Sequence, residues 1–181
     1  MPLYQVYHSY SLNQEQKQKL ATQITNLHCT TFTTPSFFVH VRFIQEDARS
    51  NDYFMAGKPH AANSNRIEGV VRTSASRTKA DFDRLGEKIE AAWYDAVESS
   101  SVQATALERD KEGRRLVMVV FTPMITIREG GMAISEAGKE SDWLKDHLPY
   151  IKEMGQEEGI KDFEDMVKEL ETREDLKGWM Q

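Results

Sequence analysis

The first third of the chain alternates hydrophobic and polar residues in the order expected for a strand, a helix and a second strand. Residues 3–8 alternate one by one, which predicts a short strand, and the proline before them is tolerated where a strand begins. Ser11 and Gln14 fit a capping box at the start of a helix. Residues 37–45 alternate again and predict the second strand. The apolar stripe of the helix consists of Leu20, Ile24 and Leu27.

A second unit with the same order follows a long polar stretch. Residues 46–65 are rich in Asn and Asp and contain Gly and Pro, which predicts a long loop of the kind that often carries function. Residues 67–72 and 115–122 predict strands, and Thr78 is the expected cap of the helix between them. The apolar stripe of that helix consists of Phe82, Leu85, Ile89, Ala92, Trp93 and Ala96. Two β-α-β units favour an α+β fold, with one four-stranded sheet and both helices on one face.

The C-terminal part of the chain, residues 139–181, is highly charged. Its pattern predicts two helices, near residues 142–154 and 159–170. Because this segment is too polar to form a hydrophobic core, we expect a helical extension. It would pack on a domain formed by residues 1–138, or lie at a subunit interface.

The composition is that of a globular domain with enough apolar material for a core: of 181 residues, 39% are hydrophobic and 29% are charged. A net charge of −6 and the lack of a basic run argue against nucleic acid as a partner. No run of about 18 apolar residues predicts a membrane span. A single cysteine and an N-terminus without signal-peptide features make the cytoplasm the expected location. We expect no cofactor, since metal-ligand spacing is missing around His8, His40, His60 and His147.

Five short motifs carry a resemblance to a known family. The chain begins Met-Pro-Leu-Tyr-Gln-Val-Tyr, and residues 23–28 end the first predicted helix with a histidine. Residues 70–78 hold two arginines, residues 127–131 hold a glutamate before two glycines, and residues 142–144 read Asp-Trp-Leu. In this order and spacing, the set resembles the tautomerase superfamily, and within it the group of cis-3-chloroacrylic acid dehalogenase.

The resemblance implies that Pro2, once Met1 is removed, is the N-terminal secondary amine of a homotrimeric acid–base enzyme without a cofactor. The substrate would be a small 2-oxo or unsaturated carboxylate. An α-amino group has an ordinary pKa near 8, close to the range in which a proton-transfer catalyst works best. The neutral amine can take a proton from a carbon next to a carbonyl, or it can form an imine. The protonated amine can donate a proton to a carbanion.

The resemblance also assigns roles to four other residues. Arg72 and Arg77 would bind the substrate carboxylate through paired donors, although they would be surface arginines if they had no function. His28 would bind a substrate oxygen, or else be a partly buried helix residue. Glu129 would activate water, or else pair with the neighbouring arginine. Apart from the resemblance, Tyr4 would line the substrate pocket, or else belong to the core.

Two departures from the family pattern leave the reaction open. Arg72 and Arg77 are five positions apart, whereas the family spacing is tighter. The dehalogenases have a tyrosine in the last strand where this chain has Val120. Tautomerisation and water addition, including hydrolytic dehalogenation, therefore both remain candidates. A non-catalytic oligomeric protein that binds a small anionic ligand is the alternative from a different class.

Overall fold

The structure, a computed structural model, describes residues 2–98 and 104–180. Within these ranges, no helix has both the length and the apolar character needed to cross a membrane. The helices and strands are, in chain order, β1 (Leu3–His8), α1 (Gln14–Phe32), β2 (His40–Gln45), β3 (Phe54–Met55), β4 (Lys58–Pro59), β5 (Arg66–Val71), α2 (Lys79–Val97), α3 (Ala106–Lys111), β6 (Met118–Pro123), β7 (Arg128–Glu129), β8 (Met132–Ala133), α4 (Glu140–Lys152), α5 (Lys161–Thr172) and α6 (Glu174–Lys177).

Four strands form one mixed sheet in the order β2-β1-β5-β6. Strand β1 is parallel to β2 and antiparallel to β5, and β5 is parallel to β6. This arrangement confirms the predicted fold of two β-α-β units in one four-stranded sheet. Because β1 runs parallel to β2 and antiparallel to β5, the first residues of β1 and β2 and the last residues of β5 lie at the same edge.

The two long helices cover one face of this sheet and bury the main core. Burial alternates along β1 and β5, as expected for strands with one face against helices. The apolar stripe predicted for α2 is buried throughout, and Thr78 caps the helix by accepting from the Asp81 N–H. The fully buried side chains of this core include Tyr4, Val6, Leu20, Ile24, Ile67, Leu85, Ile89 and Trp93.

Several element boundaries differ from the sequence prediction. The capping box of α1 is formed by Asn13 and Gln16 rather than by Ser11 and Gln14. Residues 11–14 and 13–16 both have an N-cap residue followed three positions later by Gln. The buried Leu12 places the chain so that the helix begins after Asn13. The strand predicted over residues 37–45 starts only at His40, because a 3-10 turn precedes it.

Two short hairpins lie outside the predicted strands. In the long loop, β3 pairs with β4 around a turn at Ala56 and Gly57, whose φ angles of 51° and 73° are both left-handed. Strands β7 and β8 pair around Gly130 and Gly131, with φ angles of 53° and 81°. The short helix α3 was not predicted, because six residues are too few to show a helical period.

The prediction that the C-terminal segment is too polar for a core is wrong. Its helices bury a second hydrophobic cluster together with Phe38 and Met132 from the preceding chain. The Trp143 indole N–H donates to the Ala133 carbonyl at 2.7 Å. Apart from the buried Glu140, the charged residues of α4 and α5 lie on the outer faces, so the average composition conceals narrow apolar stripes. The buried residues from the C-terminal segment are Trp143, Leu144, Ile151, Phe163, Met166, Val167, Leu170 and Leu176.

Candidate active site

Pro2 lies at the edge of the sheet where β1 begins and is buried. Its carbonyl accepts the backbone N–H of His40, the first residue of β2, at 3.1 Å. On the other side of β1, Leu3 is paired with Val70, so the end of β5 and the following Arg72 are at the same edge. The fold therefore brings Pro2 together with His40 and Arg72.

Tyr4 and His28 form a buried pair beneath this edge. The Tyr4 hydroxyl lies 2.8 Å from His28 Nδ1, with the two residues 0% and 3% exposed. The Tyr4 ring fits against β5 because Gly69 has no side chain, since a Cβ there would lie 3.0 Å from the ring. Tyr4 thus belongs to the core, and it holds His28 rather than lining an open pocket.

The environment of His28 keeps its ring neutral. The pKa of His28 is lowered to about 3, mainly by burial and to a smaller extent by positive charges that include Arg77 and Arg72. Burial also raises the pKa of Tyr4 far above its usual range, so the phenol keeps its proton. When Tyr4 donates to Nδ1, the one proton of the neutral imidazole is on Nε2, where it can be donated to another oxygen.

Arg72 and Arg77 are brought together, as predicted, and both are buried rather than on the surface. Their partner is a carboxylate of the same chain. Arg72 Nη2 lies 2.8 Å and Arg77 Nη2 2.5 Å from the same oxygen, Oε1 of Glu140. Arg72 also donates to the carbonyl of Ser135. The two arginines therefore converge on one carboxylate, which comes from the first residue of α4, and their binding of a substrate carboxylate stays a prediction.

Glu129 lies in the β7–β8 hairpin and contacts His40. Its Oε1 is 2.7 Å from His40 Nε2, and its Oε2 is buried without a hydrogen-bond partner among the described residues. Burial raises the pKa of Glu129, and the hydrogen bond from His40 only partly opposes this effect. Arg128 instead donates to the carbonyl of Gly131, so the predicted alternative of an Arg128–Glu129 pair is wrong.

A cavity of about 450 Å³ opens beside the His40–Glu129 pair, between β2, the β7–β8 hairpin and α5. Two of the carboxylates on its α5 wall have cationic neighbours, since Asp165 pairs with Lys161 at 2.5 Å and Glu169 with Arg173 at 2.7 Å. Across the part of the chain that is described, no cluster of His, Cys, Asp and Glu is arranged to hold a metal ion. The cavity gives a small molecule access to His40 and Glu129.

The family of the chain follows from a comparison of its sequence with family models. A model described as "Putative oxalocrotonate tautomerase enzyme" matches residues 1–147. The chain belongs to this tautomerase family. No curated protein matches the sequence of this chain.

Solved structures share the fold of this tautomerase family member at low sequence identity. N1, a member of the cis-3-chloroacrylic acid dehalogenase family, is 23% identical with a TM-score of 0.60, over 78% of this chain and 89% of that chain. A structure described as a "fused 4-OT wild type symmetric trimer" is 16% identical with a TM-score of 0.52, over 75% and 98%. A probable enzyme from the thermophilic fungus Aspergillus fumigatus is 22% identical with a TM-score of 0.51, over 81% and 94%.

Two residues of the candidate site are not indicated by the sequence patterns. The spacing of His40 does not fit a metal site, and its place in the candidate site comes from parallel pairing beside Pro2 and from its contact with Glu129. Glu140 lies in the charged segment, where one carboxylate among many gives no signal. Only the strand register could have pointed to His40, and no local pattern pointed to Glu140.

Proposed function

We propose that the chain is a Pro2-dependent acid–base enzyme of the tautomerase or hydratase type, acting on a small 2-oxo or unsaturated carboxylate. The observation that supports this most is the buried position of Pro2 at an edge shared with His40 and Arg72. A secondary amine in such a position, once freed by loss of Met1, is partly desolvated and close to cationic arginine. Both effects favour its neutral form, which is the form that accepts a proton.

For tautomerisation, Pro2 and His28 divide the work. The neutral amine of Pro2 takes a proton from the carbon next to a carbonyl, and electron density moves to the carbonyl oxygen. His28 is buried and neutral, so its Nε2–H stabilises that oxygen as a hydrogen-bond donor. The protonated amine then returns the proton at the other end of the enol system, which completes the isomerisation without loss or gain of atoms.

For water addition, Glu129 acts as the base and Pro2 acts as the acid. Ionised Glu129 takes a proton from water as the oxygen attacks an unsaturated carbon, and protonated Pro2 donates a proton to the adjacent carbon. The raised pKa of Glu129 makes it a stronger base than an ordinary carboxylate. His40 is a positioning residue, because its contact with Oε1 leaves Oε2 for the water.

The test of this function is the tautomerisation of phenylenolpyruvate by the wild-type chain and by Pro2→Ala. We expect the variant to lose at least about a hundredfold in kcat/KM, since a general acid or base contributes about 10²–10⁴ in rate. Pro59→Ala, in the exposed hairpin away from the site, is the matched control and should retain full activity. Equal turnover by wild type and Pro2→Ala would overturn the proposal.

The non-catalytic alternative predicts a different pair of results. A binding protein would show no turnover of 2-oxo or unsaturated carboxylates, yet still bind a small anion at its arginines. The intact mass of the purified chain tests the catalytic proposal. A retained Met1 leaves no secondary amine at Pro2 and contradicts the catalytic proposal.

We also propose that the chain assembles as a homotrimer. Similar structures are described as trimers of 4-OT, both symmetric and asymmetric. Strand β6 lies at the edge of the sheet and has exposed apolar side chains, with Met118 43% and Val120 36% exposed. The unpaired backbone groups of such an edge strand could pair with a second copy of the chain. Sedimentation equilibrium should give the mass of three chains, and a monomer at all concentrations would contradict the assembly.

A further inference from the structure

The carboxylate of Glu140 fills the position between the two arginines that a bound anion would take. Both arginines meet Oε1, and the second oxygen, Oε2, accepts the backbone N–H of Gly138 at 2.6 Å. The side chains of Arg72, Arg77 and Glu140 are 8%, 7% and 9% exposed. Glu140 thus makes the contacts that paired guanidinium groups offer to any carboxylate.

This ion cluster belongs to the same site as His28. The Arg77 guanidinium lies 5.1 Å from the centre of the Phe32 ring, and that ring lies 5.0 Å from the His28 ring. Arg72 reaches the cluster from the end of β5, next to the edge where Pro2 lies. A carboxylate bound by both arginines would therefore place the rest of a small molecule toward His28 and Pro2.

The cluster retains a capacity for a further negative charge. Two guanidinium groups and one carboxylate leave a net charge of +1 in a buried volume. Arg72 Nε is buried and has no hydrogen-bond partner in the parts of the chain described. An unpaired buried donor on a cation is costly, so an anion that reached it would be bound strongly.

Glu140 is held at a point where the chain can release it. It is the first residue of α4, and no side chain caps this helix through its N-cap residue Lys139. The preceding Gly138 has a φ angle of 92°, in the left-handed region that favours glycine. Rotation of the Glu140 side chain away from the arginines therefore requires no break in a regular element.

We propose that Glu140 is a specificity-determining residue that competes with the carboxylate of the substrate for Arg72 and Arg77. This inference rests on the proposed function only in taking the competing anion to be the substrate. Because Glu140 contacts both arginines, a small carboxylate can bind to both of them only when Glu140 leaves. Glu140 thereby lowers the affinity for every carboxylate, so that at low concentration only molecules that offer further contacts bind.

Acetate is a suitable probe, because Glu140→Ala removes a CH₂–COO⁻ group of the same shape. We expect Glu140→Ala to bind acetate at least about tenfold more tightly than the wild-type chain, in an NMR titration. Acetamide, uncharged and of equal size, should bind neither protein. Glu136→Ala removes a carboxylate that is 82% exposed in the same loop and should behave as wild type.

A second measurement covers the case in which Glu140→Ala folds poorly. Acetate, but not acetamide, should then raise the melting temperature of this variant, while the wild-type chain shows no such difference. Equal acetate affinity in wild type and variant, or no rescue of an unfolded variant by acetate, would overturn the inference. Neither result depends on turnover, so a failure of Pro2 as the catalyst would be seen separately in the Pro2→Ala assay.

Discussion

Glu140 and Glu129 are two glutamates at the same site with opposite surroundings, and Glu140 is buried whereas Glu129 is partly exposed. Glu140 is contacted by two arginines and a backbone N–H, so both of its oxygens have partners. Glu129 has one partner, His40, and its second oxygen has none among the described residues. The difference indicates their uses, because a carboxylate with both oxygens paired neutralises the arginines around it, whereas a carboxylate with a free oxygen and a raised pKa can accept a proton.

The largest effect is expected from removal of Glu140, the carboxylate with both oxygens paired. Glu140→Ala leaves two buried arginines without their anion, and we expect the free energy of unfolding to fall by about 3 kcal/mol. Urea unfolding in buffer without acetate measures this loss. The exposed Glu136→Ala should change stability by less than about 0.5 kcal/mol. An equally small effect of both variants would show that Glu140 is not a structural anion.

Removal of the other carboxylate should act on chemistry instead. Glu129→Gln keeps the shape of the side chain but cannot accept a proton, so we expect hydration of an unsaturated carboxylate to fall by about a hundredfold. Phenylenolpyruvate tautomerisation, which needs no water, should change little. Unfolding measured by urea serves as the control for folding. Equal losses in both reactions would contradict a role of Glu129 on water.

The role of His40 can be separated from that of Glu129. His40→Asn removes the contact with Glu129, and we expect kcat for water addition to fall by about tenfold, because the base is less well oriented. The pKa on the acid limb of the pH–rate profile should also rise, since the hydrogen bond from His40 lowers the pKa of Glu129. His60→Asn, outside this site, is the matched control. An unchanged profile in His40→Asn would contradict positioning by His40.

A smaller effect concerns stability at acid pH. His28 is neutral in the folded chain with a pKa of about 3, against 6.5 for the free side chain. Between these values the unfolded chain binds a proton that the folded chain does not, so the free energy of unfolding decreases as pH falls below 6.5. His28→Gln removes this contribution. Part of the pH dependence of the free energy of unfolding remains, because the pKa of His8 is also lowered in the folded chain. Identical slopes for wild type and variant between about pH 7 and pH 5 would contradict the account.

Local patterns were sufficient for most of the fold. The alternation in β1 and β5 and the apolar stripe of α2 are confirmed, because each element buries one face against one partner layer. The capping box of α1 was placed two residues early, because Ser11 and Asn13 are both good N-caps followed three residues later by Gln. The division at residue 138 stays a prediction.

The candidate site could be predicted only in part. Motifs indicated Pro2 and Arg72, whose proximity follows from the antiparallel pairing of β1 and β5. The contacts of His40 and Glu140 could not be predicted in the same way. His40 acquires its place from parallel pairing across a whole helix, and Glu140 meets Arg72 across 68 positions of sequence. Contacts between segments so far apart depend on packing, which no local pattern records.

A titration of Pro2 itself tests whether its nitrogen is a free amine that can transfer a proton. In a chain labelled with ¹⁵N-proline, four of the five prolines are amides at any pH, and only an N-terminal Pro2 can titrate. We predict one titrating nitrogen, with a pKa below about 8, the ordinary value of an α-amino group. The absence of any titrating proline nitrogen would contradict the account, because Pro2 would then be an amide and could transfer no proton.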